Sequence, residues 1–120
     1  MIRALVVDDE PANRYFFRLC FEPMNVEVTE VDDGAKALEL LERVEELPDV
    51  IFMDYRMPGM NGVDATKRIL TKYPSAAIVF VSADRSVRRE ALEAGAKDFI
   101  QKPVELDQLL DALERIVGKL

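Results

Sequence analysis

The chain has no histidine and a single cysteine, Cys20. Without histidine, most zinc sites and every catalytic triad that uses imidazole as base are excluded. One cysteine cannot form an internal disulfide and suits a reducing compartment. Because Cys20 lies in an apolar helical stretch, a packed core thiol is expected rather than a reactive one. Positive charge is scarce as well: 16 Lys and Arg stand against 23 Asp and Glu, for a net charge of −7. That balance argues against direct binding to nucleic acid or to anionic membranes. The N-terminal apolar stretch is too short for a signal peptide, and no run approaches a membrane span, so a cytoplasmic protein is expected. Glycine-rich phosphate loops are missing too. Neither G-x-G-x-x-G nor G-x-x-x-x-G-K-[ST] follows the first strand, which speaks against a nucleotide- or flavin-binding module.

What is present is ordinary in bulk and ordered in pattern. A length of 120 residues with 49% hydrophobic and 32% charged residues fits one globular domain spanning residues 1–120. Five short segments rich in Val, Ile and Phe read as strands: 4–7, 26–31, 50–53, 76–81 and 98–101. The first, third and fourth are apolar on both faces, as central parallel strands are. The second alternates Val26 and Val28 with Glu27 and Thr29, which marks an edge. Between the strands lie helical spacings: Ala12, Tyr15, Phe16, Leu19 and Cys20 after Pro11; Ala37, Leu38, Leu41 and Val44; Ala65, Ile69 and Leu70. Val87, Ala91 and Leu92 follow, stopped by Gly95. The last stripe is Leu106, Leu109, Leu110, Leu113, Ile116, Val117 and Leu120. The order is (βα)5, which predicts an α/β fold with a doubly wound parallel sheet.

In such sheets ligands bind beyond the carboxyl ends of the strands. The first strand delivers Asp8 and Asp9 there, the third Asp54, the fourth Ser82, and the fifth Lys102 followed by Pro103. Asp32 and Asp33, after the edge strand, read as turn and cap residues. Each site residue alone has an ordinary explanation, such as a helix cap or a solvated lysine. Together they place three carboxylates, a hydroxyl and an ammonium in one crevice. With all groups ionised, Asp8, Asp9, Asp54 and Lys102 sum to −2. Like charges ~4 Å apart repel by about 4 kcal/mol at an effective dielectric of ~20. A hard divalent cation relieves that repulsion, and ligands that are all oxygen point to Mg²⁺. A carboxylate beside such an ion, with Lys and Ser to meet phosphoryl oxygens, is equipped to form an aspartyl phosphate.

The segments "VVDDE" (6–10), "IFMDYRMPGMNG" (51–62), "VSA" (81–83) and "GAKDFIQKP" (95–103) carry a resemblance. Over its whole length the chain resembles the receiver domain of two-component response regulators, in the manner of single-domain chemotaxis regulators. The resemblance implies a flavodoxin-like sheet of strand order 2-1-3-4-5 and a signalling switch rather than a turnover enzyme. It implies that Asp54 is the phosphoacceptor, that Asp9 ligates Mg²⁺ directly, and that Asp8 acts mainly through metal-bound water. The backbone carbonyl of Arg56 would be the third protein ligand. Lys102 would contact the phosphoryl group, Pro103 would form a cis peptide that orients it, and Ser82 and Phe99 would be the switch pair. The implied partners are a sensor histidine kinase or phosphotransfer protein and a downstream target or effector domain, the surface of the fourth helix, fifth strand and fifth helix being the part that changes.

Departures from the family pattern are local. Phe99 lacks the hydroxyl of the frequent tyrosine, and Ser82 replaces threonine. Arg56 and Asp84, each two residues past a site residue, either pair across the crevice mouth and slow water access or stand as two solvated charges. A phosphatase of the haloacid dehalogenase type would need D-x-D, whereas Asp54-Tyr55-Arg56 offers an arginine that cannot transfer a proton at neutral pH. A degenerate receiver acting only through protein contacts would have lost part of the acidic cluster, Ser82 or Lys102. The closing "DALERIVGKL" favours a stand-alone receiver over a domain of a longer regulator.

Overall fold

A computed structural model describes residues 1–118, so Leu120 of the last stripe lies outside the described residues. In chain order the elements are β1 (Ile2–Val7), α1 (Pro11–Phe21), β2 (Val26–Val31), α2 (Gly34–Arg43), β3 (Val50–Asp54), α3 (Gly62–Lys72), β4 (Ile78–Ser82), α4 (Arg88–Glu93), β5 (Asp98–Gln101) and α5 (Leu106–Val117). Single 3-10 turns precede β2 and α4. The five strands are parallel in the order β2-β1-β3-β4-β5. Pairing aligns Val7 with Met53, Met53 with Phe80 and Phe80 with Phe99, so the strands finish side by side.

Strand alternation divides the core into two layers. Leu5, Val7, Ile51, Met53, Ile78, Phe80 and Phe99 pack with α2, α3 and α4. Ala4, Val6, Val50, Phe52, Val79, Val81 and Ile100 pack with α1 and α5. Every residue of β3 and β4 is buried, whereas β2 is buried at Val26 alone. The central and edge assignments therefore hold.

Two helices differ from their predicted faces. On α1 the buried residues are Phe17 and Phe21, while Tyr15 and Leu19 are 53% and 52% exposed. Apolar residues surround this helix, so spacing could not select the face. Packing does: the Phe17 and Phe21 rings lie 5.1 and 5.5 Å from the Phe52 ring. Cys20 is half-buried beside that cluster, and burial pushes its thiol pKa up. α4 is only six residues long; Val87 sits in the turn before it, and Leu92 points outward. Val44 falls just past the end of α2, and Leu106 is exposed at the start of α5.

Candidate functional site

All five strands end at one rim, and β1, β3, β4 and β5 feed a single crevice there. Asp9, Glu10, Asn13, Asp54, Arg56, Ser82, Ala83, Asp84 and Lys102 line it. Carboxylate oxygens of Asp8, Asp9 and Asp54 lie within 4.8 Å of one another. The Lys102 ammonium spans two of them, 3.1 Å from Asp54 Oδ1 and 3.3 Å from Asp8 Oδ2. Asp8, Asp54 and Ser82 are buried polar residues. The sheet thus gathers the residues that the sequence placed at strand ends.

Electrostatics distinguish the acids. Asp54 is 8% exposed. Burial raises its pKa from the ordinary 3.8 to about 6, Asp8 adds to the rise, and Lys102 opposes it. For Lys102, burial acts against the ammonium, but the attraction of Asp54 and Asp8 outweighs it and raises the pKa. The lysine therefore stays charged and compensates part of the repulsion between acids.

The remaining side chains have defined places. Ser82 Oγ accepts from the Asp84 amide at 3.1 Å. Asp84, not Ser82, caps the turn before α4, accepting from the Ser86 amide and hydroxyl at 2.9 and 2.6 Å. Those two Ser86 bonds are the main reason its pKa is lowered; Arg56 contributes least. Arg56 and Asp84 do approach, but only to 3.8 Å, with the arginine side chain 83% exposed. Asp33 caps α2, as a turn-and-cap reading requires, by accepting from the Lys36 amide at 2.7 Å. The Lys102–Pro103 peptide is cis. Phe99 is turned inward, its ring 6.0 Å from that of Phe80 at an interplanar angle of 11°, with the Arg88 guanidinium 5.8 Å from its centroid.

Sequence reasoning missed the support behind β1. Asn13 and Arg14, on the first turns of α1, donate to Oδ1 and to the backbone carbonyl of Asp8 at 3.4 and 2.8 Å. Glu30 pairs with Arg14 and Arg18. Their signal was a charge in the Val26, Val28, Glu30 column, where an apolar residue would be expected to face α1.

A doubly wound α/β domain whose chemistry is concentrated in acids, a lysine and a hydroxyl at the strand ends is built as a phosphorylation switch. The chain belongs to the response regulator receiver domain family, whose model matches residues 4–114. It is 40% identical to protein CcdB of Bacillus subtilis over 98% of this chain and 99% of that protein. It is 37% identical to the chemotaxis protein CheY of Thermotoga maritima, covering 95% and 96% of the two chains. Among solved structures, the receiver domain of a sensor histidine kinase from Pseudomonas aeruginosa superimposes with a TM-score of 0.88 at 30% identity, covering 98% of both chains. That crystal structure has a magnesium ion coordinated in its active-site cleft.

Proposed function

We propose that Asp54 accepts a phosphoryl group from a histidine kinase or phosphotransfer protein and that the modified domain signals to a downstream target in the cytoplasm. The observation that carries this reading is the buried Asp54 carboxylate, held 3.1 Å from Lys102 within the crevice. A Mg²⁺ ion fits the donor set, since Asp8, Asp9 and Asp54 bring oxygens within 4.8 Å of one another. Those acids, with the Arg56 carbonyl, would hold it, and when bound it would neutralise charge on incoming phosphoryl oxygens.

The steps of this chain's own residues follow. An Asp54 oxygen attacks the phosphorus of a phosphohistidine; the P–N bond breaks and its electron pair returns to the donor nitrogen. Lys102 holds the attacking carboxylate and meets the transferring oxygens with positive charge. Transfer changes the local charge from −1 to roughly −2. Ser82 donates its hydroxyl to the new oxygens, and any movement of Oγ toward them pulls on the bond it accepts from the Asp84 amide, at the turn before α4. Hydrolysis of the acyl phosphate releases inorganic phosphate and restores the carboxylate. Arg56, in the place where a D-x-D phosphatase carries its second acid, cannot act as a general acid at neutral pH, which supports a switch over a turnover phosphatase.

The reading is tested by incubating the protein with Mg²⁺ and acetyl phosphate and recording its intact mass. A gain of one phosphoryl group is expected, and borohydride, which reduces the acyl phosphate to an alcohol with loss of phosphate, should mark Asp54 as homoserine. No gain, or repeated turnover of a phosphomonoester, overturns it.

The Arg56–Asp84 pair is too open to be a strong barrier to water. Exposed ion pairs contribute at most about 1 kcal/mol, equivalent to a rate change of about fivefold. Arg56→Ala is expected to shorten the phosphoryl half-life by no more than that, and the difference should fade in high salt. Measuring dephosphorylation of both proteins at two salt concentrations checks this.

A further inference from the structure

The acidic pocket stands on a second layer of charge that no strand end reveals. Asp8 is held at every polar group. Its amide donates to the Val31 carbonyl at 3.2 Å, and its carboxylate accepts from the Glu10 amide at 2.9 Å and from Lys102. Its backbone carbonyl accepts from Arg14 Nη1 at 2.8 Å. The same guanidinium turns its Nε to Glu30 at 3.3 Å, and Glu30 in turn takes Arg18 at 2.8 Å. One fork thus ties helix α1, strand β2 and the end of β1 together.

Asp9 is different. It is exposed, and among the described residues no group donates a hydrogen bond to its carboxylate. Its direction is therefore inherited from the backbone before it. A peptide unit is planar, so a bond to the Asp8 carbonyl also fixes the orientation of the Asp9 amide and the placement of its Cα. From this arrangement we propose that Arg14 is a positioning residue for the acidic pocket: by holding the Asp8–Asp9 peptide, it keeps the Asp9 carboxylate facing Asp8 and Asp54.

Chemistry supports a fork here and not a point charge. Arginine presents its donors in a rigid plane, so one guanidinium meets the carbonyl through Nη1 and Glu30 through Nε in a fixed geometry; a lysine's single flexible ammonium holds no such plane. Arg14, Arg18 and Glu30 also leave one net positive charge behind three carboxylates, in a place where water is largely excluded from Arg14 and Glu30, whose side chains are 19% and 21% exposed. Glu30 in the apolar column of β2 is then explained. It orients Arg14, and Arg18 offsets its charge.

This inference rests on the proposed Mg²⁺-binding function and is tested by titrating the cation alone, by calorimetry, into folded protein well below its melting temperature. Partners that support metal ligands from behind typically change affinity 10–100-fold. Arg14→Met is expected to weaken Mg²⁺ binding by about 10-fold. The control is Arg18→Met, which also removes an ion pair from Glu30 but leaves the Asp8 carbonyl bond intact; it should change melting temperature without changing Mg²⁺ affinity. Arg14→Lys, which keeps the charge but loses the rigid fork, should give an intermediate loss, and it replaces Arg14→Met in the comparison if that variant does not fold. Wild-type affinity in the folded Arg14 variants, or an equal loss in Arg18→Met, overturns the positioning role while leaving the pocket's function standing. Absence of Mg²⁺ binding by the unaltered protein overturns both.

Discussion

Asp54→Asn is expected to abolish phosphoryl uptake and, at the same time, to make the metal-free protein more stable at neutral pH. The first effect is all-or-none, because the amide is no nucleophile toward phosphorus. The second follows from burial. The carboxyl titrates at about 6 in the folded chain against an ordinary 3.8. Between those values the folded state binds more protons than the unfolded one, so stability falls as pH rises through the interval. Above pH 6 the full penalty is present. A shift of about two units corresponds to roughly 3 kcal/mol, and water in the open crevice reduces that to about 1–2 kcal/mol. Asparagine keeps an oxygen for Lys102 and carries no charge to desolvate. Urea unfolding of both proteins in chelator, from pH 4 to pH 8, should show the variant gaining its advantage as pH rises. Equal stability throughout would refute the argument.

Gly62→Ala is expected to cost about 3 kcal/mol or more, at the upper end of overpacking effects. A Cβ built on Gly62 falls 1.9 Å from the Asp54 carbonyl oxygen and 2.9 Å from Phe80 Cζ. The oxygen belongs to backbone, so no side-chain rotation relieves the clash. The amide of Gly62 is also bonded to the Tyr55 carbonyl at 2.8 Å, which pins the first turn of α3 against the end of β3. Any retreat of the helix therefore moves Asp54. At the scale of a domain this size the loss corresponds to a fall in melting temperature of about 10 °C. Gly59→Ala is the comparison: nothing lies within 4 Å of its Cβ, and only its φ of +82° opposes the change. That conformational strain is about 1 kcal/mol. Thermal melts that rank the two variants equally would show that space at Gly62 is not the deciding factor.

Strand ends, and the choice of central over edge strands, were legible because both depend on simple signals. Unbroken apolar runs announce central strands, and the residue that follows each run must lie at the rim. For that reason Asp8, Asp54, Ser82 and Lys102 could be brought together from spacing alone, and family resemblance supplied the order of strands. Helix faces were harder wherever apolar residues encircle the helix. Tyr15 and Leu19 fit the periodicity as well as Phe17 and Phe21 do, and only the Phe52 ring on β3 distinguishes them. The Arg14–Glu30 link was hidden for a related reason. It joins residues 16 positions apart on different elements, and a lone glutamate in a strand does not disclose which arginine will meet it. The loose Arg56–Asp84 contact shows the reverse case: the pairing was foreseen as one of two outcomes, but its weakness lies in an arginine side chain that is 83% exposed and reaches Asp84 Oδ2 only at 3.8 Å, while Ser86 holds the other oxygen, Oδ1.

The inward ring of Phe99 bears on how quiet such a switch can be at rest. With no phenol to hydrate, swinging the ring into water exposes bare hydrocarbon at a cost of roughly 2 kcal/mol, a preference of about thirtyfold. The slab formed by Phe80 and the Arg88 guanidinium adds to it. A ring already held inward by that margin has little further inward travel, so a change on modification is expected in the backbone after Ser82 before it is expected in the ring.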